Sequence, residues 1–213
     1  AFSECLNLKK IEISEDSNLL TIGKESLARS AIESFYIPSK LIELGDSWCS
    51  FTNFLESIVI SKNNKNFVFI DDDHKLIAGK TKPKKKNYNI LLFACRDIKQ
   101  AVIPSTIKYI SPFAFCGCRK LEKVQFYNDS KLKIIDKSAF SNSALQSILI
   151  PANVTKIKER AFCKCDNLSV VEFSKHSKLK KIEKKAFFYS SIQKISIPST
   201  TEVLENEWCA STP

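Results

Sequence analysis

Residues 150–173 read IPANVTKIKERAFCKCDNLSVVEF, and the rest of the 213-residue chain rewrites that phrase with substitutions. Its skeleton is Ile-Pro, a Val-x-x-Ile pair, Ala-Phe, then Leu-x-x-Val-x-Phe. The Ala-Phe step recurs at 1–2, 114–115, 139–140, 161–162 and 186–187, with degenerate forms at Ser26-Leu27, Ser47-Trp48 and Glu207-Trp208. Successive aromatic or leucine positions are separated by 25, 21, 67, 25, 22, 25 and 21 residues, so the long gap holds three units in phase. Twenty-odd residues cannot enclose a core alone, but stacked units bury their apolar faces on one another. Such a period therefore demands a solenoid.

Two unit lengths alternate. The long unit carries Ser-x-Leu-x-x-Ile, as in Ser130-Leu132-Ile135 and Ser177-Leu179-Ile182. The short unit carries Ile-Pro, at Ile37-Pro38, Ile103-Pro104, Ile150-Pro151 and Ile197-Pro198. Each unit should close in a short strand whose period-two alternation sends Ile11 and Ile13 inward and Lys10 and Glu12 outward. Proline suits the strand end because it has no N–H for a ladder. The Ala-Phe step is expected in a single helical turn opposite the strand, with its ring in the core.

The unit length places the chain among leucine-rich repeats. In detail, Leu-x-x-Val-x-Phe/Ile-Pro-x-x-Val-x-x-Ile-x-x-x-Ala-Phe-x-x-Cys resembles the BspA-like leucine-rich repeat of surface antigens from mucosal bacteria and trichomonad-type protists. The resemblance covers nearly the whole chain. It implies an α/β repeat solenoid of horseshoe form, with a parallel concave sheet and a convex side of short strands and single helical turns. Residues 1–213 are expected to form about nine coils of one domain, interrupted near 61–97 by hairpin-like strands with a basic loop. Functionally, it implies a non-enzymatic adhesion or recognition module at a cell surface or secreted, bound to a protein on a host or neighbouring cell. A cytoplasmic scaffold is the alternative.

Composition adds little to this. The net charge of +10 favours anionic partners through long-range steering, although a solvated lysine-rich surface gives the same number. Starting and ending inside a repeat, without methionine, the sequence reads as an excised piece. It holds no apolar run near the ~20 residues that span a bilayer.

Candidate chemistry is sparse. Seven of the eight cysteines fall in the turn after the aromatic, where a small apolar residue packs well; buried thiols are the first expectation, with a disulfide or metal clamp as alternatives. His74 and His176 match no catalytic arrangement, and no glycine-rich phosphate loop occurs. No cofactor, metal or nucleic acid is expected, and no enzyme signature is present. Asp71-Asp72-Asp73-His74 lacks the spacing of a calcium loop and reads as a turn. The loop lysines Lys80, Lys82, Lys84, Lys85 and Lys86 form a candidate site for anionic polysaccharide.

The main candidate site is the concave sheet. The side chains between the buried strand positions include Tyr36, Val59, Val102, Gln125, Leu149 and Glu172, flanked by Lys123 and Lys194. An apolar column facing water and rimmed by polar groups marks an interaction surface.

Overall fold

The computed structural model describes residues 1–81 and 87–210. Its strands, in chain order, are β1 (Thr21–Ile22), β2 (Ser34–Ile37), β3 (Glu43–Leu44), β4 (Ser57–Ile60), β5 (Phe67–Phe69) and β6 (Leu76–Gly79). There follow β7 (Ile90–Ala94), β8 (Gln100–Ile103), β9 (Tyr109–Ile110), β10 (Lys123–Phe126), β11 (Ile134–Ile135) and β12 (Ser147–Ile150). The last are β13 (Lys156–Ile157), β14 (Val170–Phe173), β15 (Lys181–Ile182), β16 (Lys194–Ile195) and β17 (Val203–Leu204).

The chain winds as a parallel β-solenoid of about eight turns. Most four-residue strands, with the two-residue β16, stack into a front sheet, and the other two-residue strands stack into a back sheet. In the front sheet β8, β10, β12, β14 and β16 run parallel, and β2 pairs with β4. In the back sheet β9, β11, β13, β15 and β17 continue onto β7, while β1 pairs with β3. Of the two aromatic positions that the long sequence gap leaves unmarked, one follows the solenoid path, through β7 and β8. The other is replaced by the antiparallel pair β5–β6, so the turns are fewer than the period predicts.

The local chemistry explains both unit lengths. After each Ile-Pro strand end the proline carbonyl accepts a turn bond, as from Ile107 N to Pro104 O at 3.1 Å and Val154 N to Pro151 O at 3.1 Å. In the long unit no proline follows the strand, and a serine further along makes the turn instead. Leu132 N donates to Ser130 Oγ and Leu179 N to Ser177 Oγ, both at 3.3 Å, a local side-chain turn that proline cannot make.

The expected helical turns are absent: among the described residues there is no helix. Around Phe162 the chain adopts left-handed conformation at Arg160 (φ 55°) and Lys164 (φ 56°), which a right-handed helix excludes. Instead the turns form a third ladder along the stack. Phe115 N donates to Ala139 O, Phe140 N to Ala161 O and Phe162 N to Ala186 O, each at 2.7 Å. The rings of Phe115, Phe140, Phe162 and Phe187 are buried and stacked, with centroids 4.7–5.1 Å apart.

That ladder corrects the alignment of the degenerate units. Leu27 N donates to Trp48 O and Phe187 N to Trp208 O, so both tryptophans stand in the alanine position. Cys49 and Cys209 take the place of the phenylalanine. Phe93-Ala94 is inverted in the same way, with Ala94 N on Ala114 O. Large and small side chains have exchanged places within the pair, which keeps the filled volume roughly constant.

The front sheet is not continuous, contrary to the expectation from the repeats. β4 pairs with β2 and β8 with β10, and the β5–β6 hairpin lies between the two groups. The hairpin separates two hydrophobic cores. β6 sends Leu76 and Ala78 to the C-terminal core and Ile77 to the N-terminal one, while Phe93 and Cys95 join Ile77 and Leu91 joins Leu76. A strand apolar on both faces is what a wall between two cores requires. Buried Asn64 pins the hairpin to the coil before it, donating to Pro38 O and Leu41 O and accepting from Asn66 N and Phe67 N.

Candidate functional site

On the front sheet each strand hides alternate residues. Ile148 and Ile150 are buried while Ser147 and Leu149 between and beside them face solvent. Register then lines up equivalent residues across coils: Tyr36 with Val59, Val102 with Gln125, and Leu149 with Glu172. Val59 is 55% exposed, Val102 46% and Leu149 51%, and Tyr36 is partly buried. Gln125 and Glu172 are exposed in the same row. The neighbouring row joins Gln100, Lys123, Ser147, Val170 and Lys194 by direct pairing.

The structure thus brings together Val102, Gln125, Leu149, Glu172, Lys123 and Lys194 on one five-stranded surface. Tyr36 and Val59 stand on the separate β2–β4 piece, because β4 and β8 do not pair. Val170, 44% exposed in the second row, belongs with the apolar side chains, and the column of Val59, Val102 and Leu149 does not reveal it. Leu149, Val170, Gln125, Glu172 and Tyr127 line a shallow depression of about 700 Å³ on this face. Beside Val59 the hairpin adds Phe69, with His74 stacked on it at 4.6 Å.

The other candidates resolve into structure. The Asp71 carboxylate accepts from Lys75 N and Leu76 N, so it closes the β5–β6 turn. Cys49, Cys95, Cys116, Cys118, Cys163 and Cys165 are buried. Burial pushes the thiols of Cys49, Cys95 and Cys116 up to about 12, which makes them poor nucleophiles at neutral pH. Of the Cys163–Cys165 pair the first reaches the surface slightly and the second is fully enclosed. Lys80 donates to Lys65 O at 2.6 Å with its ammonium over the Tyr88 ring, whereas Lys82, Lys84, Lys85 and Lys86 lie outside the described residues. Among the described residues no helix is long and apolar enough to cross a membrane.

Comparison with known proteins follows the same lines. The family model of the BspA type leucine-rich repeat region matches six copies, over residues 1–69 and 89–212. Three solved structures share the fold. A leucine-rich repeat protein from Eubacterium ventriosum is 22% identical with a TM-score of 0.59, covering 89% of this chain and 61% of its own. A leucine rich cell surface protein from Faecalibacterium prausnitzii is 19% identical with a TM-score of 0.65, covering 96% and 54%. The pneumococcal vaccine antigen PcpA is 20% identical with a TM-score of 0.56, covering 94% and 57%. The chain therefore spans about half to three-fifths of the length of these proteins. No curated protein sequence matches significantly.

Proposed function

We propose, given that this chain belongs to the BspA type leucine-rich repeat family, that it is a non-enzymatic recognition module of a cell-surface protein. It binds a protein partner on a host or neighbouring cell through the front sheet, the surface expected to be concave. The observation that carries this reading is the set of half-exposed apolar residues, Val102 and Leu149 on the five-stranded surface and Val59 on the β2–β4 piece, on strands whose alternate residues turn into the core. Apolar side chains held out on a rigid ladder lose little entropy when a partner covers them, and the polar rim of Gln125, Glu172, Lys123 and Lys194 supplies register. The cell-surface setting comes from two structurally similar proteins, one named a cell surface protein and the other a vaccine antigen.

A triple variant, Tyr36→Ser with Val59→Ser and Leu149→Ser, tests the face. Fluorescently labelled parent and variant are titrated onto epithelial cells by flow cytometry, with circular dichroism and thermal melting as fold controls. Loss of cell binding by a folded variant supports the reading. Undiminished binding removes this face from the function.

A further inference from the structure

A second surface, on the back of the solenoid, has a different character. Charge is divided unevenly along the chain: residues 1–60 hold 5 Lys/Arg against 9 Asp/Glu, and residues 61–213 hold 28 against 14. Within the second part several back-face and turn lysines are neutralised across coils. Lys158 meets Asp136 at 2.9 Å, Lys180 meets Glu202 and Lys181 meets Glu205, both at 2.5 Å, and Lys185 meets Glu207 at 3.0 Å. Others break this pattern: among the described residues Lys164 and Lys178 also lack a carboxylate partner, although Lys178 donates to Asn153 Oδ1 at 2.9 Å, and four more lie together. Among the described residues Lys108, Lys131, Lys133 and Lys156 have no carboxylate within ion-pair distance, although Asp129 lies two residues before Lys131.

These four are neighbours by construction. Lys133 N donates to Lys108 O at 2.8 Å, and Lys156 pairs with Ile134, the residue after Lys133. Lys131 stands two residues before Lys133 on the same edge and is exposed, as are Lys133 and Lys156. The row leads directly to the root of the lysine-rich segment, because Lys108 N donates to Asn89 O at 2.8 Å and Asn89 N to Gly79 O at 3.0 Å. The segment between Gly79 and Asn89 contains Lys80, Lys82, Lys84, Lys85 and Lys86. Like charges on adjacent strands repel, so leaving them unpaired where nearby coils pair theirs costs stability that an anion recovers.

We propose that the edge formed by Lys108, Lys131, Lys133 and Lys156 is a binding site for a linear sulfated polysaccharide. The register sets Lys133 beside Lys108 but Lys156 beside Ile134, so the lysines form a staggered band over three neighbouring coils about 4.8 Å apart, suited to a chain of repeated anionic groups. Single-stranded nucleic acid is disfavoured because it needs a series of aromatic platforms, and Tyr109 alone stands in the row. The site is independent of the front sheet.

The test uses a size-defined heparin octasaccharide and three variants of the 213-residue chain. Lys108→Glu/Lys133→Glu/Lys156→Glu removes the row. Lys99→Glu/Arg119→Glu/Lys123→Glu removes the same charge from the opposite corner and front sheet. The third changes Lys82, Lys84, Lys85 and Lys86 to Glu. At about 0.1 M salt the row variant should lose roughly tenfold or more in affinity and show a shallower salt dependence, while the corner variant changes about twofold or less. Equal losses in the row and corner variants overturn the proposal, because net charge alone then explains binding. Parent-like affinity of the row variant, with loss confined to the loop variant, also overturns it. So does equal or tighter binding of the parent to duplex DNA or to phosphatidylserine vesicles.

Discussion

The Phe140 and Phe162 rings lie 5.1 Å apart, their planes 1° from parallel, although 22 residues separate them in the chain. Phe115 and Phe187 extend the same pile on either side. Each ring therefore serves as wall for two coils at once. Phe162→Ala should cost about 3–5 kcal/mol, read from urea unfolding, because neither neighbouring ring can fall into the gap without breaking its own ladder bond. A loss below about 1 kcal/mol would show that the stack contributes little beyond shape.

The exchange of large and small side chains predicts coupling between Trp48 and Cys49. Trp48→Ala alone leaves a cavity beside Phe35 and Phe93, whose ring centroids lie 5.2 and 5.7 Å from it. Cys49→Phe alone adds volume to a filled site. The double variant restores the Ala-Phe order of the regular units. It should be more stable than the two single losses together imply, by about 0.5–3 kcal/mol in a double-mutant cycle. Simple additivity would mean that the two sites do not share one volume.

Much of this arrangement is legible in the letters, because a period-two strand and a 21–25-residue repeat leave their marks on every coil. Ile148 and Ile150 are in and Leu149 is out, as alternation demands. Trp48 was harder. An aromatic residue near the right spacing looks like the phenylalanine of the motif, and only the backbone shows otherwise. Ser47 (φ 59°) and Phe51 (φ 57°) flank Cys49 at the same offsets at which Arg160 and Lys164 flank Phe162. Residues with side chains in left-handed conformation carry no letter that announces them, unlike glycine, so the turns read as helical. Leu76, Ile77 and Ala78 read as a hairpin strand, but nothing local says that both faces are buried. That depends on which coils lie to either side.

Acid should weaken the stack through Glu159. Burial would raise this carboxyl, but the hydrogen bond and charge of Lys137, with Lys184 and Arg160, overcome it and hold the group below the ordinary glutamate range. A carboxyl depressed in the folded state contributes stability above its unfolded value, and that contribution is lost as pH falls through the folded one. Unfolding free energy measured from neutral pH down through the glutamate range should thus fall less steeply for Glu159→Gln than for the parent. Parallel curves for the two proteins would assign the acid sensitivity elsewhere.

Arg96 supplies the most telling perturbation, because it joins the two cores. Its guanidinium is buried, lies 4.5 Å over the Phe93 ring, and donates to Thr52 O and Cys49 O on one side and to Ala94 O and Ala114 O on the other. Those carbonyls belong to coils on both sides of the hairpin, so one side chain ties together coils whose front strands do not pair. Arg96→Met removes these charge-assisted bonds, and since Cys49 O, Thr52 O and Ala114 O keep donors in Thr52, Leu55 and Ala94, the loss should be about 1–3 kcal/mol in all. Arg96→Lys is not a conservative rescue, since an ammonium cannot span the same fork of acceptors. The consequence reaches beyond lost stability. Trp48 sits in the N-terminal core and Trp208 packs against the C-terminal one, so Trp208→Phe and Trp48→Phe backgrounds report each core separately by fluorescence. With Arg96 present the two unfolding curves in urea should coincide. With Arg96→Met they should separate, because a repeat stack remains cooperative only while its interfaces are stronger than the instability of its parts. Coincident curves in the variant would mean that the hairpin wall alone couples the cores, and that the guanidinium contributes only locally.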